Sequence, residues 1–429
     1  MAGIVAVALA VLCYSLVSER FKDSMLTPPM IFAGFGFLLG GYGLGILHID
    51  LNNHGVHLLA EITLILVLFS DAARIDLRLL LKDHNLPLRM LIIGLPLTIA
   101  LGTAIALMMP FGFSWIEAAL LASVLAPTDA ALGQSVISNG SVPVRIRQAL
   151  NAESGLNDGL AVPFVFCLAM AMPGHGVENI DFNHAGFAAK QIILGPLVGI
   201  AVGWLSGRLM EYSAERGWMV EAFEGPAVLA AAGLAYGAAS MIGGNGFIAA
   251  FTAGLLFGFA VMRRCKFILE FAESEGQLLT LLSFLVFGAV MLPMHMAQIT
   301  WPMFFYALLS LTVIRMVPIA LSLLGTGVTL PTTLFLGWFG PRGLASILFG
   351  LIVLDELQTP AASIILTITV LTVALSIVLH GLTAAPMARR FGKLVKAQGV
   401  CAENDPAPEM ATRQGWVEKE NAPATEVRT

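Results

Sequence analysis

The sequence predicts an all-α polytopic membrane protein with 13 transmembrane helices in two inverted six-helix repeats. This prediction rests on three observations. Of the 429 residues, 57% are hydrophobic and 12% are charged, whereas soluble proteins average about 45–50% apolar and about 25% charged residues. Apolar runs of about 20 residues, the length that crosses the hydrocarbon core, recur along the chain. Proline also interrupts corresponding spans in the two halves.

Thirteen apolar segments are predicted to span the membrane, and the basic residues predict their orientation, because cytoplasmic loops carry an excess of Lys and Arg. With the N-terminus outside and the C-terminus in the cytoplasm, only Lys190, Arg315 and Arg342 of the 23 basic residues lie elsewhere than on the cytoplasmic side. We therefore expect a multi-pass protein of the cell membrane. The predicted spans are 2–18, 27–47, 57–72, 88–109, 115–138, 146–172, 186–209, 223–242, 246–262, 276–294, 300–324, 331–354 and 361–387.

The fifth span of each half is predicted to be a broken crossing helix. If six spans, one linker span and six further spans follow one another, the second half is inverted, as in many secondary transporters. Spans 5 and 12 contain APTD at 126–129 and GPRG at 340–343. Because proline lacks an amide donor and clashes with the preceding turn, both helices could break there and expose carbonyls and amides. An ordinary proline kink is the alternative at either position.

Six charged residues lie deep in the predicted spans. A charge at the bilayer centre costs about 2.5–3.5 kcal/mol on insertion scales, so each one needs a partner or a task. Four carboxylates against two guanidinium groups leave a surplus of negative charge, which favours a bound proton or metal cation. The six residues are Asp71, Asp129, Glu153, Asp158, Arg315 and Arg342.

Span 6 begins with a stripe of oxygen-bearing side chains in the segment NAESGLNDGL at 151–160. Glu153 and Asn157 share one helix face, while Ser154 and Asp158 form a second pair about 100° further round. The oxygens of this stripe, with those freed by a break in span 5, suit a hard cation. A proton and a cation could compete for such a carboxylate. Span 5 would contribute the carbonyl groups near Thr128 and the carboxylate of Asp129.

Three of the acids also have a structural interpretation. The helical rise places Glu153 at much the same depth as two arginines, so an ion pair is expected with Arg315 on an unbroken span 11 or, as the second choice, with Arg342. Asp129 could satisfy amides exposed at a helix break. Asp71 lies where span 3 meets a basic loop, so a solvated helix end competes with a role in the site.

Three motifs resemble those of the NhaP-type branch of the monovalent cation:proton antiporters, the sodium/proton exchangers with an Asn-Asp pair. They are APTDAAL at 126–132, NAESGLNDG at 151–159 and GPRGLAS at 340–346. The resemblance covers the membrane domain, 1–396, and implies a homodimer in which a core domain moves against a dimer domain. It implies a dimer domain at about 1–72 and 223–294, a linker helix at about 186–209, and a core domain at about 88–172 and 300–387.

The resemblance also implies roles for the site residues. Asp158 would bind cation and proton in turn, and Asn157 occupies the position where electrogenic relatives have a second aspartate. Glu153 would pair with a core arginine, for which Arg315 fits best. An acid from span 3 is expected near the site, and we assign Asp71 to that position. The implied cation ligands are Asp158, Thr128, Ser154 and Asp71, with Asp129 beside them.

Because an amide cannot titrate, Asn157 leaves one carboxylate to carry either H⁺ or a monovalent cation. We therefore expect electroneutral one-for-one exchange of H⁺ for Na⁺, or for K⁺ or Li⁺, by alternating access and in the service of pH homeostasis. A cation-selective channel is the alternative, because pores also use rings of oxygen atoms. An intramembrane aspartyl protease is less favoured, since its GxGD and YD motifs are absent from the sequence.

No cofactor is expected, since the sequence has no nucleotide-binding G-x-x-x-x-G-K-[ST] motif. The expected partners are the cation, H⁺, membrane lipid and a second copy of the chain, without nucleic acid. Glycine-rich segments such as FAGFGFLLGGYGLG and GGNGFIAAFTAG are expected to permit close helix packing. The polar tail, 397–429, is expected to be disordered in the cytoplasm.

Overall fold

The computed structural model describes residues 2–21, 24–47, 54–75, 85–172, 182–261, 266–354, 359–398 and 403. Every regular element within these ranges is a helix, which confirms the all-α prediction. Seven of the described helices are long and apolar enough, by length and composition, to cross a membrane. The total of thirteen spans and their inverted repeat remain predictions.

Two helices are divided by non-helical segments of several residues, and we number the elements so that the two parts of such a helix share a number. As far as residue 172, the helices are α1 (Ala2–Phe21), α2 (Pro28–Leu39), α3 (His54–Ala73), α4 (Asn85–Arg89, a π-helical turn Met90–Gly94, then Leu95–Met108), α5a (Trp115–Val124), α5b (Ala130–Ile137) and α6 (Val144–Met170). The next are α7 (Phe182–Glu215), α8 (Glu224–Met241) and α9 (Gly246–Val261). They are followed by α10 (Lys266–Val286, a π-helical turn Phe287–Met291, then Leu292–Met296), α11 (Trp301–Leu311 and Val313–Ser322), α12a (Leu330–Trp338), α12b (Leu344–Phe349, continued as a π-helical turn Gly350–Leu354) and α13 (Pro360–Gln398).

Glycines bring several of these helices into backbone contact. A Cβ on Gly36 of α2 would overlap the Leu285 carbonyl of α10, and a Cβ on Gly254 of α9 would overlap the Phe69 carbonyl of α3. Both glycines belong to the glycine-rich segments of the sequence. They act as the small residues that let helices approach closely in a membrane.

Helix α11 differs from the prediction of an unbroken span, because its helical geometry lapses for one residue at Thr312. The Thr312 hydroxyl donates a hydrogen bond to the Leu308 carbonyl at 2.7 Å, a back-bond that often bends helices. Pro318, further along, also lacks an amide to donate to the preceding turn. The interruption coincides with the back-bond of Thr312.

Helix α13 runs beyond the predicted end of span 13 at 387 and includes the first two residues of the predicted tail. Its extension buries Ala388, Phe391 and Val395, apolar side chains at helical spacing, in a cluster with α12a. Further on, the carboxylate of Glu403 accepts hydrogen bonds from the Thr329 amide at 2.8 Å and the Thr332 hydroxyl at 2.7 Å. Residues 397, 398 and 403 of the predicted tail are thus described as ordered, whereas 399–402 and 404–429 lie outside the described residues.

Candidate functional site

The break in α5 exposes backbone oxygens in the interior of the helix bundle. Helix α5a ends at Val124 and α5b begins at Ala130. Pro127 lies in the intervening segment and has no amide with which to continue the helix. The segment is buried, and Thr128 at its centre is 2% exposed. Its carbonyl groups must therefore find partners from other elements.

The break in α12 lies against the break in α5. Helix α12a ends at Trp338 and α12b begins at Leu344, so the GPRG segment lies in a non-helical connection. The Asp129 amide donates to the Pro341 carbonyl at 2.8 Å and joins the two breaks. A Cβ on Gly340 would overlap the Arg315 side chain, and a Cβ on Gly343 would overlap Asp129. Glycine is needed at both positions because the two breaks cross at close quarters.

Asp129 caps the half-helices that follow the two breaks. One carboxylate oxygen accepts from the Ala131 amide at 2.7 Å, in the first turn of α5b. The other accepts from the Leu344 amide at 2.8 Å, in the first turn of α12b. A carboxylate is stabilising at a helix N-terminus, where the free amides and the helix dipole are positive. This geometry matches the structural interpretation of Asp129.

Arg342 has the complementary position at the end of α5a. Its Nη1 donates to the carbonyl oxygens of Ala126 and, at 3.1 Å, of Pro127. A cation is favourable at a helix C-terminus, where carbonyl groups remain free. Arg342 is completely buried, so these bonds satisfy part of a guanidinium group that has no contact with solvent.

Two side chains of α6 hold Thr128. The Ser154 hydroxyl donates to the Thr128 carbonyl at 2.5 Å, and the Asn157 amide nitrogen donates to the Thr128 hydroxyl at 2.6 Å. Asn157 also donates to Glu153 at 3.3 Å. The stripe predicted on span 6 therefore faces the break in α5. It brings hydroxyl, carbonyl, amide and carboxylate oxygens together.

Glu153 forms a bidentate ion pair with Arg315. The Nη1–Oε1 distance is 2.6 Å and the Nη2–Oε2 distance is 2.8 Å. Both side chains are almost completely buried. Paired hydrogen bonds of this geometry are the strongest form of the Arg–carboxylate interaction. Of the two arginines named from the sequence, Arg315 is thus the one that binds Glu153.

Asp158 is 6% exposed and lies on the buried face of α6. Its neighbour Gly159 packs against the ring of Phe251, with which any Cβ would overlap. A crevice opens beside the two breaks, one turn from Asp158 towards the start of α6. Among the described residues, those that line it are Thr128, Asp129, Gly133, Ile137, Leu150, Ser154, Phe339 and Pro341.

Asp71 lies at the end of α3, with its carboxylate 3.5 Å from the Arg74 guanidinium. These two side chains line a different cavity, shared with Gly276, Gln277 and Thr280 of α10 and with Val67 and Ser70 of α3. The backbone of α3 nevertheless approaches α6, since a Cβ on Gly155 would lie 3.6 Å from the Asp71 carbonyl oxygen. The structure therefore brings Asp71 to the neighbouring helix, with its carboxylate beside Arg74.

A model of the transmembrane domain of sodium/hydrogen exchangers matches residues 7–390. The chain belongs to the sodium/hydrogen exchanger family. Exchangers of this family are secondary transporters and not enzymes, so the aspartyl protease alternative is excluded. Hydroxyl, carbonyl and carboxylate oxygens, the ligands that hard cations prefer, meet around Thr128.

The predicted resemblance to NhaP-type antiporters is confirmed. The chain is 26% identical over 385 residues to the K⁺/H⁺ antiporter NhaP of Alkalimonas amylolytica, and the aligned region covers 87% of this chain and 64% of that protein. It is 25% identical over 389 residues to the K⁺/H⁺ antiporter NhaP2 of Shewanella sp. strain ANA-3, which covers 90% of this chain and 66% of that protein. The chain thus spans slightly less than two thirds of the length of these relatives.

The fold is also that of a solved antiporter. The structure of the sodium proton antiporter MjNhaP1 from Methanocaldococcus jannaschii at pH 8 superposes with a TM-score of 0.72 and 21% identity, covering 89% of this chain and all of that one. An electron-microscopy structure of the same antiporter gives a TM-score of 0.74 and 20% identity, covering 92% and 98% of the two chains. At this level of identity the likeness establishes the shared fold.

The structure also reveals two polar residues that the sequence reasoning missed, Ser376 and His380 of α13. Both are completely buried and contact the break in α12. A histidine within a membrane span is itself a signal, because ionisable residues there are rare and usually functional. Its partner could not be found from the sequence, because that depends on how α13 packs against α12.

Proposed function

We propose that this exchanger carries out electroneutral, one-for-one exchange of a monovalent cation for H⁺, with Asp158 binding the two ions in turn. The observation that carries the proposal is that two of the acids around the break in α5 have structural duties. Arg315 binds both oxygens of Glu153, and both oxygens of Asp129 accept backbone amides. Asp158 lies on the Ser154 face of α6 and is the acid that we assign to exchange.

The proposed cation ligands surround the break in α5. They combine the carboxylate of Asp158 with the oxygens of Thr128 and Ser154, and Asp129 adds negative charge beside them. A carbonyl or hydroxyl oxygen that already accepts one hydrogen bond keeps a second lone pair for a cation. We include Asp71 in the set because α3 reaches α6 at Gly155.

Na⁺ is the first candidate for the cation, and K⁺ and Li⁺ are the others. The family is named for sodium exchange, whereas two relatives are named as K⁺/H⁺ antiporters. All three ions bind oxygen ligands, and selection among them depends on the size and shape of the cage.

Asn157 supports the electroneutral stoichiometry. Its amide donates to the Thr128 hydroxyl and to Glu153, and an amide cannot take up or release a proton in the accessible pH range. A single titrating carboxylate carries one H⁺ or one monovalent cation in each direction. The net charge moved in a full cycle is then zero.

We propose alternating access as the transport mechanism, with a core domain at about 88–172 and 300–387 that moves against a dimer domain at about 1–72 and 223–294. The linker helix, at about 186–209, would join them in a homodimer. The packing of α5, α6, α11, α12 and α13 around the two breaks supports a core that moves as one body. Thirteen spans with the N-terminus outside the cell and the C-terminus in the cytoplasm complete the proposed topology.

Transport by purified protein in proteoliposomes tests the proposal. A pH-sensitive dye should report saturable proton movement driven by each alkali cation, at a rate that does not change when valinomycin and K⁺ gradients impose a potential in the Na⁺ and Li⁺ assays. Asp158→Asn should abolish exchange, while Cys167→Ser, a control on the same helix, should retain it. A rate that follows the potential would refute electroneutrality, and exchange by Asp158→Asn would remove Asp158 from the mechanism. Cation flux without proton counterflow would indicate a channel.

A further inference from the structure

The break in α12 is fastened to α13 by two buried side chains one helical turn apart. The Ser376 hydroxyl oxygen accepts the Arg342 amide at 2.7 Å. The His380 Nε2 lies 2.9 Å from the carbonyl oxygen of Trp338, the last residue of α12a. Helix α13 therefore holds the chain both before the GPRG segment and within it.

Each nitrogen of the His380 ring lies near a carbonyl oxygen, Nε2 at 2.9 Å from that of Trp338 and Nδ1 at 3.1 Å from that of Ser376 on the same helix. A neutral imidazole has one donor nitrogen and one acceptor nitrogen, so only one of these contacts is a hydrogen bond. We assign the proton to Nε2, which has the shorter contact, and Nδ1 then accepts from the Ser376 hydroxyl, whose oxygen lies 3.2 Å away. The Ser376 hydroxyl thus donates to His380 while its oxygen accepts from Arg342, and three hydrogen bonds connect Trp338 to the Arg342 backbone.

Aromatic packing restrains the same ring. The indole of Trp338 stacks on the imidazole of His380 with ring centroids 4.9 Å apart. The Trp338 Nε1 in turn donates to the Thr383 hydroxyl at 3.0 Å. The imidazole therefore has a fixed orientation, as a side chain that positions its neighbours requires.

The connection continues into the proposed ion site. The Arg342 guanidinium binds the carbonyls of Ala126 and Pro127, the two residues directly before Thr128. A shift in the Arg342 backbone would move the guanidinium and with it the break in α5. Small displacements of a ligand group change binding strongly, because cation coordination depends on distance and direction.

We infer that His380 is a positioning residue for exchange, which sets the location of Thr128 through Ser376 and Arg342 and thereby tunes the affinity for the cation. This inference rests on the proposed function, because it assumes that Thr128 binds the cation. His380 itself contacts neither of the exchanged ions. Its effect passes through the two breaks.

The test compares the half-saturating cation concentration with the maximal rate in proteoliposomes. His380→Ala and Ser376→Ala should each raise the half-saturating cation concentration about three- to tenfold, the change expected when one hydrogen bond is lost. The double variant should equal the larger single effect, because the two residues act in series. His380→Gln, whose amide can still donate to Trp338, should recover part of the affinity.

Thr369→Val is the matched control on α13. Thr369 is also completely buried, but its hydroxyl donates to the Ile365 carbonyl within the same helix at 2.8 Å. This substitution should leave the half-saturating concentration unchanged. Thermal unfolding of the detergent-solubilised protein, repeated over a range of cation concentrations, supplies a second measure of affinity that does not need transport.

Distinct outcomes would overturn the inference. If His380→Ala and His380→Gln lower thermal stability but leave both measures of cation affinity unchanged, His380 is structural alone. Effects of the single variants that multiply in the double variant would refute the series arrangement. Failure of the proposed function differs from both, since wild-type protein would then show no exchange and no cation-dependent stabilisation.

Discussion

The breaks in α5 and α12 resemble one another in shape and differ in charge. The break in α5 contributes an acid, Asp129, which caps the start of α12b. The break in α12 contributes a base, Arg342, which binds the free carbonyls at the end of α5a. Each broken helix is therefore stabilised by the charged residue of the other.

This difference shows how a membrane protein can keep two charged residues where its broken helices meet in the interior. An unpaired helix end at depth leaves polar backbone groups unsatisfied, and each of them costs free energy. Asp129 caps the positive start of α12b and Arg342 binds the negative end of α5a, so both helix ends are satisfied. The side of the α5 break that faces α6 keeps its Thr128 oxygens close to Ser154 and Asn157, where we propose the cation binds.

The starts of the two broken helices differ in another way. Helix α5a has a local capping box, in which the Ser114 amide donates to the Glu117 carboxylate at 2.6 Å and the Glu117 amide donates to the Ser114 hydroxyl at 3.4 Å. Helix α12a is capped by Glu403, 74 residues from Thr329 along the chain. A near neighbour stabilises one helix, while a distant residue beyond α13 stabilises the other.

The largest expected effect comes from removing Arg315, which packs on Gly340 of the α12 break and binds Glu153 of α6. Arg315→Met should lower the free energy of unfolding by about 3–5 kcal/mol, because it leaves a buried carboxylate unpaired. Denaturation of the purified protein in mixed micelles measures this change. Glu153→Met in addition should recover most of the loss, and a double variant as unstable as the single one would contradict the pairing.

Removing Asp129, whose carboxylate caps the helices that follow both breaks, should have the next largest effect on the free energy of unfolding. Asp129→Ala deletes the caps of both α5b and α12b, and each N-cap contributes about 0.5–2 kcal/mol. We expect the same unfolding measurement to give the sum of the two. Asp129→Asn keeps one side-chain carbonyl as an acceptor and should lose about half as much. Equal stability of Asp129→Ala and wild type would mean that the crossed capping contributes nothing.

A smaller loss is expected when the two breaks are forced apart. Gly343→Ala places a Cβ on the Asp129 carboxylate, and overpacking of this kind typically costs about 1–3 kcal/mol. Gly133→Ala is the control within α5b, because its Cβ would lie 3.7 Å from Ile137, an ordinary contact. Thermal unfolding of the two variants side by side should separate them. Equal unfolding temperatures would show that the space between the two breaks accommodates a methyl group at Gly343.

The smallest effect is expected at the distant cap of α12a. Burial alone would raise the pKa of Glu403, but hydrogen bonds from Thr329 and Thr332 outweigh it and lower the pKa from 4.5 to about 2. Glu403→Gln should therefore cost about 1 kcal/mol at neutral pH, within the range measured for N-caps. Unfolding of wild type and variant at a series of pH values measures the difference.

The sign of this pH dependence follows from the lowered pKa. The unfolded chain takes up the proton at a higher pH than the folded chain does, so the stabilisation by Glu403 is complete above about pH 4.5 and declines towards pH 2. The difference between wild type and Glu403→Gln should shrink over that range. A constant difference would show that the charge of Glu403 is irrelevant to the cap. Glu117→Gln, in the local capping box of α5a, gives the comparison for the other broken helix.

The positions of the breaks and the polar stripe on α6 followed from local rules. Proline cannot continue a helix, so Pro127 and Pro341 predicted where α5 and α12 would be interrupted. Helical periodicity placed Ser154 and Asn157 on one side of α6. Both predictions depend only on residues within one helical turn of one another, and the structure has both features.

Partners across helices did not follow from the same rules. Depth along the membrane left both Arg315 and Arg342 as candidates for Glu153, because counting residues gives the height of a side chain and not the direction in which it points. The interruption at Thr312 and the contact of Asp71 with Arg74 were missed for a related reason. Each depends on the direction of a polar side chain, which hydrophobicity and depth do not predict.

The sequence by itself determined that this chain is a bundle of membrane helices with two breaks and a surplus of buried acid, since hydrophobicity, proline and charge act at every residue. Only the tertiary structure decided how Asp129 and Glu153 are engaged. Asp129 and Glu153 are engaged because α12 and α11 pack where their amides and guanidinium can reach them. His380 and Glu403 gained their roles in the same way, because contacts between distant segments depend on how helices pack and not on local periodicity.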